Sequence, residues 1–229
     1  MNGLPGIPAL QGREDVKSDL RARLADARLY LCTDARRSRG DLPRFLDAVL
    51  GAGVDIVQLR EKGLEAGEEL ALLEVFAGAC RRHGRLLAVN DRADVALAAG
   101  ADAVQRTSTS LPVKDIRALV DKRLRIGASV HSLPEALEAE IGGADWLVFG
   151  PVYETPSKRS YGPPQGLDAL ARVARAVTIP VIAIGGVTPE RVGELRRAGA
   201  GGVAAISAIL AADSPADATR RFLDALAAS

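Results

Sequence analysis

Apolar residues fall along this chain in two alternating textures. Short runs rich in Val, Ile, Leu and Ala are each followed by a longer stretch whose apolar positions return every third or fourth residue. The runs predict strands at Leu29–Thr33, at the end of GAGVDIV (51–57), at Leu86–Asn90, at the end of AAGADAV (98–104), at Leu124–Ala128, at the end of GGADWLV (142–148), at Val181–Ile184 and at Val203–Ile206. The stretches predict helices over Leu42–Leu50, Gly67–Arg82, Ala93–Ala99, Val113–Val120, Pro134–Ile141, Leu167–Val177, Pro189–Ala198 and Pro215–Ala227. Because the runs are apolar throughout, both faces of these strands are buried, as in a parallel sheet. Eight strand-then-helix units in strict alternation favour a closed barrel over an open doubly wound sheet. One phrase recurs at 51–57, 98–104, 142–148 and 197–205, each time a glycine at a helix end leading into a strand.

The expected fold class is therefore α/β, a single (β/α)8 TIM barrel with a short N-terminal helical extension. Residues 1–12, rich in Gly and Pro, read as a flexible N-terminus, and 13–229 as one barrel domain in which Arg13–Ala27 forms an extra helix over the lower end. A length of 229 residues suits one such unit.

Charge narrows the class of partner. A formal net charge of +1, with the basic residues scattered, offers no basic face for nucleic acid or an anionic membrane, so a small-molecule ligand is expected. No apolar run approaches the roughly 20 residues needed to cross a bilayer, and no secretory pattern opens the chain, so a cytoplasmic protein is expected. The two cysteines, Cys32 and Cys80, lack metal-type spacing and read as packing residues.

In such a barrel, chemistry belongs at the carboxyl ends of the strands. Pro180–Leu210 carries the strongest signal there. Gly185 and Gly186 end an apolar run without side chains, so peptide N–H groups can approach an anion, and Thr188 can cap the helix that Pro189 opens. The next strand runs into Ser207 and further free N–H groups, which makes the pair a candidate phosphate cup. An ordinary βαβ unit with tight turns is the alternative.

Arg60 and Lys62 lie two apart at a strand end and can point to one side, a fork of donors beside a mobile point charge that suits pyrophosphate. Solvated surface charge explains either alone, and Glu61 reads equally as a neutralising neighbour or a participant. Asp91 can ligate magnesium and Asn90 can donate to a phosphoryl oxygen, although Asp ahead of a helix is also a common N-cap. The loop TPSKRSYGPPQG (155–166) reads as a lid bringing Thr155, Ser157, Lys158 and Arg159, or as a surface loop with no role. His131, in ASVHS, is an acid/base candidate or a histidine bonded within its loop, and His83 reads as a helix-end charge.

Taken together, VQLREK, VNDR, GASVHS, GPVYETPSK, AIGGV and AAISAI follow the order and spacing of the thiamine-phosphate synthase family, which includes the related thiazole tautomerases. The chain resembles that family from about Leu29 to its C-terminus. The resemblance implies a transferase that couples hydroxymethylpyrimidine pyrophosphate to thiazole or carboxythiazole phosphate and releases pyrophosphate, with Mg2+ as cofactor. It implies that Gln58, Leu59, Arg60, Glu61 and Lys62 surround the pyrimidine pyrophosphate with Asn90, Ser129 and Lys158. It further implies that Thr155, Pro156, Ser157, Gly186, Ile206 and Ser207 hold the thiazole phosphate. Asp91 matches a magnesium ligand. Arg60, Lys62, Ser129, Lys158 and His131 are the expected catalytic set, and a homodimer is a family expectation.

One segment departs from the pattern. Where synthases carry His-Leu-Gly-Gln, a variable residue and Asp, this chain reads QRTSTS from Gln105 to Ser110, so Ser110 stands at the second metal carboxylate. That segment resembles the tautomerase branch, in which a histidine matching His131 moves a proton without metal. Lys62, Asp91 and TPSK follow the synthase. The alternatives to a synthase are thus a thiazole tautomerase and a non-catalytic phospholigand-binding regulator.

Overall fold

The computed structural model describes residues 27–155 and 163–229. Its strands are β1 (Leu29–Thr33), β2 (Ile56–Leu59), β3 (Leu86–Asn90), β4 (Ala103–Arg106), β5 (Arg125–Val130), β6 (Trp146–Phe149), β7 (Val181–Ile184) and β8 (Gly202–Ala205). Each pairs in parallel with its neighbour in sequence, and β8 pairs with β1, which closes the (β/α)8 barrel. Around it run α1 (Leu42–Ala52), α2 (Ala66–His83), α3 (Ala93–Ala98), α4 (Val113–Val120), α5 (Leu133–Ile141), α6 (Gly166–Ala176), α7 (Val192–Arg197), α8 (Ser207–Leu210) and α9 (Pro215–Ala227).

Local departures from the sequence reading affect the mouth, among them the end of β8 at Ala205, which leaves Ile206 outside the predicted strand. β5 runs on to Val130 because Ser129 and Val130 pair with Val148 and Phe149, which brings Ser129 into the strand. The helix after β7 opens as a 3-10 turn, Pro189–Arg191, before α7 begins. Thr188 precedes that turn but makes no side-chain cap; its hydroxyl engages the Glu190 carboxylate instead. The predicted extension falls outside the described residues, apart from Ala27, which is coil packed against the barrel's inner cluster.

Side chains alternate along every strand, and the two sets form two cores. Leu31, Val57, Leu59, Leu87, Val89, Val104, Ile126, Val130, Leu147 and Phe149 face outward into the layer between strands and helices. Tyr30, Cys32, Ile56, Leu86, Ala88, Ala103, Trp146, Val148, Ile182 and Ala204 fill the barrel itself. Among the described residues, no helix is long and apolar enough to cross a membrane.

The recurring phrase acquires a structural meaning at the barrel's base. Asp55, Asp102 and Asp145 each directly precede an even-numbered strand. The N–H of each donates to the carbonyl of the first or second residue of the preceding strand: Leu29 at 3.0 Å, Leu87 at 3.0 Å and Ile126 at 2.7 Å. Each carboxylate then accepts the N–H of that same partner, at 3.0, 2.9 and 2.8 Å respectively. Arg85 binds Asp55, and both Arg117 and Arg125 bind Asp145. In the fourth copy Gly201 occupies the aspartate's place, and its N–H reaches the Val181 carbonyl at 2.8 Å.

Candidate active site at the barrel mouth

The inward positions one layer above the apolar plug are polar. Tyr30 Oη and Cys32 Sγ both donate to Gln58 Oε1, at 3.0 and 3.1 Å. Two donors fix the orientation of that amide. Its Nε2 therefore donates to Asn90 Oδ1 at 2.9 Å, which leaves the Asn90 amide hydrogens to face the mouth. A second relay runs from β4 to β5: Gln105 Nε2 donates to Ser129 Oγ at 3.0 Å, so the Ser129 hydroxyl proton is free to turn outward. Both relays end in donors, as an anionic or acceptor-rich ligand requires. Gly127 makes room for the second, because a Cβ there would lie 2.1 Å from Gln105 Oε1 and 2.4 Å from the Trp146 ring.

Arg60 continues the inward phase of β2 and is exposed at the rim. Its charge reaches the Cys32 thiol, which burial nonetheless pushes up to about 12. Lys62 is exposed two residues further on. Leu59 faces the opposite way, fully buried in the strand–helix layer between its partners Thr33 and Val89, so the structure does not bring this expected site residue to the mouth. Glu61 accepts the Ala35 N–H at 2.9 Å and thereby ties the segments after β1 and β2 together. His131 follows β5 with its ring Nδ1 3.2 Å from Glu135 Oε2. Burial acts to raise the Glu135 carboxyl, but the His131 N–H and ring and the Ser132 hydroxyl hold it below its ordinary value.

The glycine cup is assembled by β6 and β7 together. Gly185 and Gly186 adopt φ of 97° and 64°, open to glycine without strain, and a Cβ at Gly186 would lie 2.8 Å from the Glu154 carbonyl oxygen. Val152 N donates to Ile184 O at 2.8 Å and Tyr153 N to Gly185 O at 3.1 Å. Beside this turn, β8 leads into exposed Ile206 and Ser207, where the short α8 begins. The β6 segment also returns to its own start, because Gln165 N and Gly166 N donate to Pro151 O and Val152 O at 2.8 and 3.1 Å. Thr155 belongs to the described part of that segment; Pro156, Ser157, Lys158 and Arg159 lie outside the described residues.

Asp91 sits at the end of β3 with φ 65°, a left-handed conformation costing about 1 kcal/mol for a residue with a side chain. No described residue donates to its carboxylate, so the group suits a hard cation that keeps most of its coordination for water and phosphate. Ser110 does not complete a pair. Its Oγ accepts the Thr107 N–H at 2.8 Å and lies 2.9 Å from Thr107 Oγ1, which closes the segment on itself. Among the described residues, no group of three His, Cys, Asp or Glu side chains could enclose a metal.

The structure thus gathers Gln58, Arg60, Lys62, Asn90, Asp91, Ser129, His131, Gly186, Ile206 and Ser207 at one end of the barrel, the carboxyl ends of parallel strands. The Gln105 relay and Arg191, which bonds Gly186, escaped the sequence reading; counting inward positions by two from Gln58 across the paired strands would have exposed the first.

Comparison with known proteins identifies the family. A family model described as thiamine monophosphate synthase matches residues 29–209. A thiamine-phosphate synthase of Acidothermus cellulolyticus is 51% identical over 213 residues, covering 92% of this chain and 100% of that protein. One from Streptomyces avermitilis is 50% identical, covering 88% and 94%. Among solved structures, thiamine phosphate pyrophosphorylase from Pyrococcus furiosus superposes with a TM-score of 0.81 at 33% identity, over 90% of this chain and 98% of that one. With a mouth of convergent donors and relatives matched along nearly their whole length, the chain belongs to the thiamine monophosphate synthase family.

Proposed function

We infer that this chain is a thiamine-phosphate synthase, a transferase that couples hydroxymethylpyrimidine pyrophosphate to thiazole or carboxythiazole phosphate in thiamine biosynthesis. The observation that carries the reading is the polarity of the mouth in a chain with such close relatives: both buried relays end in donors, and the glycine cup opens beside them on the same rim. Arg60, Lys62 and Lys158 hold the pyrophosphate as it leaves with the electrons of its carbon–oxygen bond. Asn90 and Ser129 donate to the same substrate, while Gln58 orients Asn90. Thr155, Pro156, Ser157, Gly186, Ile206 and Ser207 seat the thiazole phosphate, whose ring nitrogen attacks the pyrimidine methylene. Catalysis is then chiefly positioning and electrostatic stabilisation of the leaving group. Asp91 would hold Mg2+, which neutralises pyrophosphate charge when bound.

The test is direct. Purified protein, both substrates and Mg2+ should yield thiamine phosphate; no product above background at high enzyme concentration would reject the reading. The contact between His131 and Glu135 favours one competing activity, isomerisation of carboxythiazole phosphate, which His131→Ala should abolish while a chelator leaves it unchanged. We further propose that the chain works in the cytoplasm as a homodimer. Light scattering on the full chain measures the assembly.

A further inference from the structure

We propose that Arg191 is the positioning residue of the phosphate cup, aiming the Val187 N–H at the thiazole phosphate by holding the Gly186 carbonyl. The proposal deepens the synthase reading and rests on it for the identity of the phosphate ester. Three successive carbonyls at the end of β7 are engaged from one side. Ile184 O takes the Val152 N–H, Gly185 O takes the Tyr153 N–H, and Gly186 O takes Arg191 Nη1 at 2.6 Å. In a planar trans peptide, C=O and N–H point in opposite directions. Anchoring those three carbonyls therefore turns the N–H groups of Gly185, Gly186 and Val187 the other way, the concave array of donors that binds anions. Neither the Gly186 nor the Val187 N–H has an acceptor among the described residues.

The first two anchors are backbone groups of the β6 segment, and the third is a side chain that must itself be held. Arg191 CZ lies 4.2 Å from the centroid of the Tyr153 ring, and the Tyr153 phenol donates to Glu194, one turn beyond Arg191. The guanidinium is thus clasped between the start of the β6 segment and the glycine turn, with its charge behind the cup.

Arg191→Met keeps aliphatic cover on Tyr153 but removes the donor, whereas Arg191→Lys keeps a donor. The methionine variant should raise KM for thiazole phosphate about tenfold while KM for the pyrimidine pyrophosphate stays within about twofold, and lysine should recover most of the loss. A second readout needs no turnover: inorganic phosphate should shift the Val187 amide resonance of the parent and lysine chains and barely move it in the methionine chain. Arg191→Ala replaces Arg191→Met if the latter does not fold. Equal rises in both KM values, an unchanged thiazole phosphate KM, or a Val187 resonance in the parent that ignores phosphate would overturn the proposal. If the parent makes no thiamine phosphate while Val187 answers phosphate in an Arg191-dependent way, the synthase reading falls and the positioning role stands.

Discussion

Arg36 lies almost fully buried under the Phe45 ring, 3.9 Å from its centroid, and donates to both carboxylate oxygens of Asp41 at 2.7 and 2.8 Å. That paired hydrogen bonding holds the Asp41 carboxyl below its ordinary value, against the smaller opposing effect of burial. A carboxyl lowered in the folded state contributes fully above its unfolded value, about 4, and its contribution is lost as pH falls through the folded one. Asp41→Asn should therefore cost about 2 kcal/mol at neutral pH, with parent and variant converging in acid, as urea unfolding across a pH series would show. At the mouth, Arg60→Ala should raise KM for the pyrimidine pyrophosphate at least about tenfold with far less effect on the thiazole phosphate, since one charge-assisted donor is lost on one substrate. Roles of this kind were unevenly legible. Arg60 and Asn90 stood out as polar residues ending apolar runs. The bond from Glu61 to the Ala35 N–H depends on which strands pair, and spacing along the chain does not carry that information.

α4 and α9, which end on no glycine, match the predicted limits to the residue. Gly53 and Gly84 close α1 and α2 at φ of 123° and 62°, within two residues of the predicted limits. β5 was read too short because Ser129 looks like the start of a loop until β6 supplies its partner. On the proposed reading, in which Asp91 holds Mg2+, the β4–α4 connection bears on the metal's environment. Ser110 folds back onto Thr107, and among the described residues Asp91 is the one carboxylate that matches a metal ligand of the family pattern. Ser110→Asp should tighten Mg2+ binding by roughly fivefold or more, measured by calorimetry in the presence of pyrophosphate, because it restores the second carboxylate that the family pattern pairs with Asp91. An unchanged affinity would show that this segment does not line the metal position. The 155–166 loop reads in sequence as a lid or a surface loop, and the bonds from Gln165 and Gly166 to Pro151 and Val152 are backbone contacts that no residue type announces.

At the scale of the molecule the barrel has two chemically distinct ends. Donors and cations gather at the carboxyl ends of the strands, and aspartates lock the opposite end. The alternation of runs and stretches made eight parallel strands readable, and the fourfold phrase marked the even strands, yet its glycines drew notice while its aspartates carried the bonds. Gly201 interrupts that series. Its φ lies outside the left-handed range, and a Cβ there would sit 3.6 Å from Pro180 and 3.8 Å from the Val181 nitrogen, in ordinary contact. Gly201→Asp should therefore stabilise the chain by about 1 kcal/mol, read as a higher denaturation midpoint at unchanged slope. A closed ring fastened at three joints and bare at the fourth has a seam. Native-state hydrogen exchange should find it at the Val181 amide, which ought to trade its proton for solvent deuterium sooner than those of Leu29, Leu87 and Ile126.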